Sequence, residues 1–195
     1  SLTPWASKRY CQQNIQKENK MFEISVLVSG SGSTLDNLAF HCYDELEGVM
    51  RGMATITSVF ADRNCGALEV ADGWGIPKFV LDTKSILKKA GNVDLCVLAG
   101  FLSKIYVPPE MEGKILNIHP SLLPKYGGKG MYGRKVHQAV KESGDSITGC
   151  TVHVVDNEYD HGEIVDQELI PIMPEQSADD LEMAVKKLEQ QLYPK

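Results

Sequence analysis

The chain has no run of about 18 uninterrupted apolar residues, the length a membrane-spanning helix needs, and its longest apolar stretches are of strand length. That predicts a soluble protein without a membrane partner. It also lacks an excess of positive charge. Its 20 Lys and Arg against 26 Asp and Glu leave a net −6, so no global field favours long nucleic acid or an anionic surface. Any anionic ligand must therefore be held by a local site. The five cysteines, Cys11, Cys42, Cys65, Cys96 and Cys150, include no C-x-x-C pair, and their scatter excludes a zinc ribbon or a disulfide framework and fits a reducing cytosol. Internal repeats and low-complexity linkers are also missing.

What remains is an ordinary globular composition, 43% hydrophobic and 24% charged over 195 residues, enough for one domain with a real core. Residues 1–20 carry three Lys, one Arg and little apolar periodicity, which reads as a disordered tail or tag. The absence of an acid before Glu18 keeps an organellar transit segment as the alternative to a cytoplasmic location. Residues 21–195 are expected to form the single domain, with a phosphate-binding half over about 21–100 and a second half over 101–195.

From residue 22, short apolar runs alternate with helical stretches. Ile24 to Val28 is a buried-strand run ending in Gly30-Ser31-Gly32-Ser33-Thr34, after which Leu35, Leu38 and Ala39 fall at helical spacing. Further strands are expected over 56–60, 77–81 and 95–99, with helices over 67–74 and 85–90. This alternation predicts an α/β, Rossmann-like, mostly parallel sheet with helices on both faces and ligands beyond the carboxyl ends of the strands. The second half reads differently. A short strand at 115–117 leads into a Pro/Gly-rich loop over 120–133 and a helix through Val136 and Val140. Runs at 148–155 and 164–172 then suggest an antiparallel pair. Ser177 with Asp180 resembles a capping box for a last helix whose stripe is Leu181, Val185, Leu188 and Leu192.

Three segments could carry chemistry. The glycine loop aims backbone N–H groups and a helix N-terminus at one point, which suits a phosphate, although a plain tight turn reads the same way. It is neither G-x-G-x-x-G nor a Walker A loop, but Asp62 ends the second strand where a ribose-binding acid would sit, so a nicotinamide enzyme stays conceivable. Asn117 and His119, two apart after a strand, point to the same side; an amide donor and an imidazole there describe an acyl-transfer site, or a structural histidine at a strand end. The acidic segment 156–163 is a solvated turn or a metal loop without the EF-hand frame, and Asp160 would raise the imidazole pKa if it reached His119. His153, His137 and His41, the last expected beyond the first helix, read as structural or surface residues. Loop 127–133 reads as an anion cradle or a flexible lid.

Taken in order, N-I-H-P-S-L-L-P-K from Asn117, T-G-C-T-V-H ending at His153, Y-D-H-G from Tyr159 and Glu189-x-x-x-Tyr193-Pro194 resemble the phosphoribosylglycinamide formyltransferase family of purine biosynthesis. The resemblance covers most of the chain after Met21. It implies formyl transfer from 10-formyltetrahydrofolate to the amine of glycinamide ribonucleotide, with no metal, by a monomer or homodimer. Asn117, His119 and Asp160 would be the catalytic trio. Gly32, Ser33 and Thr34 would hold the phosphate, and Glu189 would contact the glycinamide end. The folate would lie against Leu102, Ser103, Lys104 and Ile105 and against Asp156, Asn157, Glu158 and Tyr159. Thr34 stands where the family usually has Asn, Ser103 where many members have Arg, and the segment between Leu81 and Asp94 is short, so a stunted or missing helix is expected there. The alternatives are another folate-dependent formyltransferase, a formyltetrahydrofolate hydrolase, or a degenerate nucleotide-phosphate-binding protein.

Overall fold

A computed structural model of the chain describes residues 20–195; the tail expected over 1–20 lies, apart from Lys20, outside the described residues. Seven strands form one sheet: β1 (Phe22–Val28), β2 (Ala54–Ala61), β3 (Lys78–Val80), β4 (Leu95–Ala99), β5 (Ile115–His119), β6 (Ile147–Val154) and β7 (Ile164–Pro171). Their order is β3-β2-β1-β4-β5-β6-β7. The pairs from β3 to β5 are parallel, and β6 and β7 are added antiparallel, as the change of pattern along the sequence predicts. Five α-helices accompany them among the described residues: α1 (Ser33–Tyr43), α2 (Ala67–Gly73), α3 (Thr83–Ala90), α4 (Arg134–Ser143) and α5 (Ala178–Leu192).

Alternation along β1 divides the core. Val26 and Val28 face the layer of α1 and α2, whereas Leu27 faces α3 with Phe60, Ile86 and Ile115. Full burial of each such side chain stabilises the fold by about 1.5–3 kcal/mol. The stripe of α5 closes a third cluster against Cys150 and Val152, and Tyr193 joins this cluster to the first. Among the described residues no helix is long and apolar enough to cross a membrane.

Local chemistry sets the ends that matter for the site. Gly32 caps α1 in the left-handed region at φ +91°, and a Cβ there would stand 2.6 Å from the Ala67 Cα, so only glycine fits. The helix α3 starts at Thr83 because the Asp82 carboxylate accepts the Lys84 and Ser85 N–H groups. The segment thus holds a helix of eight residues that buries Ile86, Leu87 and Ala90. His41 belongs to α1, which runs on to Tyr43, and does not lie beyond it. Ser177 and Asp180 form the expected capping box of α5. At the far end of α5 the Tyr193 hydroxyl reaches the Leu98 and Leu116 carbonyls at 2.9 and 3.1 Å, and Asn37 Nδ2 donates to the Gln190 carbonyl at 2.9 Å. Those bonds tie α5 to α1, β4 and β5, and so fix Glu189, one helical turn before Tyr193.

Candidate active site

The site is built on the antiparallel pairing of β5 with β6. Asn117 lies opposite His153 and His119 opposite Thr151, so the period-2 alternation brings all four side chains to one face. His153 Nδ1 meets the Val154 carbonyl at 3.0 Å, an acceptor only, which leaves Nε2 free to accept from Asn117 Nδ2 at 3.1 Å. The second Asn117 amide hydrogen is thereby aimed by a fixed partner.

Loop 120–126 is shaped by a hydroxyl-centred network. Thr151 Oγ1 donates to the Ser121 carbonyl at 2.7 Å and accepts from the Leu123 N–H at 3.0 Å. Gln167 Nε2 donates to Thr151 Oγ1 at 2.8 Å and to the Leu123 carbonyl at 3.0 Å. The turn ends at Tyr126, held at φ +57°, whose carbonyl accepts from His119 Nε2 at 2.9 Å. The proton of a neutral His119 therefore sits on Nε2, and Nδ1 is the basic atom. Nδ1 lies 3.4 Å from Asp160 Oδ1.

Asp160 reaches that position through its own left-handed backbone, φ +54°, and through Gly127, where a Cβ would stand 3.1 Å from the Asp160 Cβ. Its Oδ2 accepts from the Gly128 N–H at 2.9 Å, and its Oδ1 stands 3.6 Å from His153 Nε2. Burial raises the Asp160 pKa, but a proton carried by the His153 or His119 ring and the Gly128 N–H outweigh it, and the carboxyl stays below its ordinary value. His119 moves the other way from the expectation that Asp160 holds it charged. Burial lowers its pKa by more than Asp160 and the Tyr126 carbonyl raise it, so the resting ring is neutral.

These groups open onto a cavity of about 510 Å³. Asn117, His119, Asp160 and Glu189 line it, as do Ser33 and Thr34 at the start of α1; Gly32 does not, and shapes the turn from behind. No side chain caps α1, so the N–H groups of its first turn and the positive end of its dipole are available to an anion. Leu102, Ser103, Lys104 and Ile105 form one wall, and Asp156, Asn157, Glu158 and Tyr159 another. Several of these side chains are already engaged. Ser103 Oγ donates to Asp62, whose carboxyl is brought down to about 2 because Arg63, Ser103 and Ser29 outweigh the effect of burial. Asn157 Oδ1 accepts the Val107 N–H at 2.9 Å, and Asp156 pairs with His161 at 2.8 Å. Lys104 Nζ lies 5.6 Å from the Tyr159 ring centre.

Sequence reasoning missed His153, His137, Glu182 and Lys186, all of which line the cavity. For His153 the signal was the T-x-H run facing N-x-H on the neighbouring strand. Glu182, Lys186 and Glu189 recur at i, i+4 and i+7, one face of α5. Glu189 is pushed up to about 8 by burial, with Lys186 opposing and Glu182 adding to the shift. Among the described residues no group of three or more His, Cys, Asp or Glu is arranged to hold a metal ion.

A parallel sheet closed by antiparallel strands sets a helix N-terminus and an Asn-His-Asp cluster on one cavity. Residues 22–195 match the family of formyl transferases, and the chain belongs to that family. Among curated proteins it is 36% identical over 192 residues to the chloroplastic phosphoribosylglycinamide formyltransferase of Arabidopsis thaliana, covering 90% of this chain and 64% of the relative. It is 37% identical over 189 residues to the phosphoribosylglycinamide formyltransferase of Haemophilus influenzae, covering 89% of this chain and 84% of that one. Among solved structures, the phosphoribosylglycinamide formyltransferase of Anaplasma phagocytophilum superposes with a TM-score of 0.76 at 32% identity, covering 90% of this chain and 84% of that chain. The chain thus spans a little under two thirds of the plant relative's length.

Proposed function

We propose that the chain transfers the formyl group of 10-formyltetrahydrofolate to the primary amine of glycinamide ribonucleotide. The convergence of Asn117, His119 and Asp160 on the cavity that also meets the first turn of α1 carries this reading. The first-turn N–H groups of Ser33 and Thr34, with Lys186 across the cavity, bind the phosphate. Glu189 receives the glycinamide end. Leu102, Ile105 and Tyr159 offer apolar surface to the folate ring system, and a cavity of about 510 Å³ is of ordinary ligand-binding size.

In the transfer, a carbon–nitrogen bond forms between the neutral amine and the formyl carbon, and the bond from that carbon to the folate nitrogen breaks. His119 Nδ1 takes the proton leaving the amine and returns it to the departing nitrogen, while Nε2 stays fixed on the Tyr126 carbonyl. Asp160 stabilises the imidazolium during that interval, when its charge is needed, although burial keeps the resting ring neutral. The free amide hydrogen of Asn117 and the charged His119 meet the negative charge that develops on the formyl oxygen. The four described cysteines are free and three of them are buried, which suits a reducing compartment such as the cytosol or a plastid stroma.

An absorbance assay for the deformylated folate, run with and without glycinamide ribonucleotide, tests the proposal. Product that forms only with the nucleotide supports it. Product that forms equally without the nucleotide identifies a hydrolase, and no product with either overturns the enzymatic reading.

A further inference from the structure

The transfer chemistry leaves His137, a polar group bordering the cavity, unused. His137, on α4, is 2% exposed, and its Nδ1 is sealed from solvent without a hydrogen-bond partner. A buried polar atom left unpaired costs free energy, and such atoms in folded proteins call for an explanation. The ring nevertheless borders the cavity, between His119 of β5 and the Glu182, Lys186 and Glu189 face of α5. Burial lowers its pKa, with His119 adding to this and Glu182 opposing it, so the ring is neutral near pH 7. Of the two neutral tautomers, the one with its proton on Nδ1 would seal the N–H away from every partner, whereas the other keeps the N–H on the ring nitrogen that is not sealed. The proton therefore sits on Nε2, the outer ring nitrogen, where a ligand in the cavity would meet it.

We propose that His137 is a substrate-binding residue whose Nε2–H donates to an uncharged oxygen, carbonyl or hydroxyl, of the ribonucleotide between its phosphate and its amine. This rests on the glycinamide ribonucleotide reading above. The neighbours divide the remaining recognition among themselves. Glu182 accepts and so suits N–H or O–H groups of the ligand, and Glu189, which holds its proton near pH 7, suits the glycinamide end; Lys186 and the first turn of α1 suit the phosphate; Asn117 and His119 serve the formyl oxygen. The His137 N–H is a neutral donor set among these groups and can fix an uncharged acceptor without competing for the phosphate. The folate walls, 102–105 and 156–159, are separate from the α4 and α5 side, so His137 discriminates the amine substrate and not the formyl donor.

Calorimetry on the full chain with glycinamide ribonucleotide alone tests this, using wild type, His137→Leu and His137→Gln. Losing one donor to a bound oxygen should weaken nucleotide binding by roughly tenfold or more in His137→Leu. The amide of His137→Gln should recover most of the loss, and in both variants folate binding and kcat at saturating nucleotide should stay within about threefold of wild type. Equal nucleotide affinity in His137→Leu overturns the proposal, and so does a parallel loss of nucleotide and folate affinity, which marks a packing role. Ring-nitrogen NMR of the wild type gives an answer even if His137→Leu fails to fold. The His137 Nε2–H resonance should shift on adding the nucleotide and not on adding folate; no nucleotide-dependent shift overturns the assignment. Failure of the wild type to bind glycinamide ribonucleotide at all overturns the functional reading, and this proposal falls with it.

Discussion

The two halves of the sheet solve different problems with different backbone geometry. In the parallel half, β1 feeds a glycine turn into α1, and what it offers a ligand is main chain: N–H groups and a helix dipole. In the antiparallel half, β5 and β6 set side chains opposite each other in register, and what they offer is Asn117, His119 and His153 on one face, with Asp160 brought in by the following loop. Backbone donors do not titrate and bind a fixed charge; paired side chains can move a proton. On the proposed function, the difference teaches why an anchor and a reaction centre would share one cavity without sharing an element.

That comparison can be broken at either end. The largest effect is expected at the reaction centre, where His119→Ala and Asp160→Ala should each lower kcat by ~10²–10⁴ while nucleotide affinity by calorimetry stays near wild type. At the anchor, Gly32→Ala forces a Cβ into Ala67 in a left-handed turn. It should cost about 1–3 kcal/mol in a denaturant titration and weaken nucleotide binding, leaving folate affinity unchanged. Thr151→Val removes the hydroxyl that shapes loop 120–126. A stability loss of about 1–3 kcal/mol with a lower kcat is expected, because the Tyr126 carbonyl that fixes His119 Nε2 loses its support. The last effect is a pH dependence. Glu189 has its folded pKa raised from 4.5 to about 8, so the folded state holds a proton that the unfolded chain has released in that interval. The stabilising contribution of that proton is complete below about 4.5 and lost as pH rises through about 8. Glu189→Gln should therefore match wild type at pH 4.5 and exceed its stability above pH 8 by about 1–3 kcal/mol in melts across that range.

Much of the fold was legible because its signals are local. The alternation of apolar runs with helical stripes predicts the parallel half, and the switch to two strands around a polar segment predicts the antiparallel addition. The capping box at Ser177 marks the start of α5 as it stands in the structure. The Asn117 and His119 pair was legible from strand spacing. What escaped depends on tertiary register or on commitments inside loops. A histidine within a strand gives no sign that it faces Asn117 until the register of β5 on β6 is fixed, so His153 read as structural. Asp160 reaches His119 because a left-handed residue and Gly127 allow it, which no spacing rule encodes. Ser103 and Asn157 looked ready for a ligand, yet their polar atoms hold Asp62 and the Val107 N–H.

The central claim is that His119 and Asp160 act as one unit on one proton, and a double-mutant cycle on kcat between His119→Ala and Asp160→Ala measures it most directly. With Asp160 acting through the imidazole, the double variant should be about as slow as the His119→Ala single variant. Rate losses that multiply in full would contradict it.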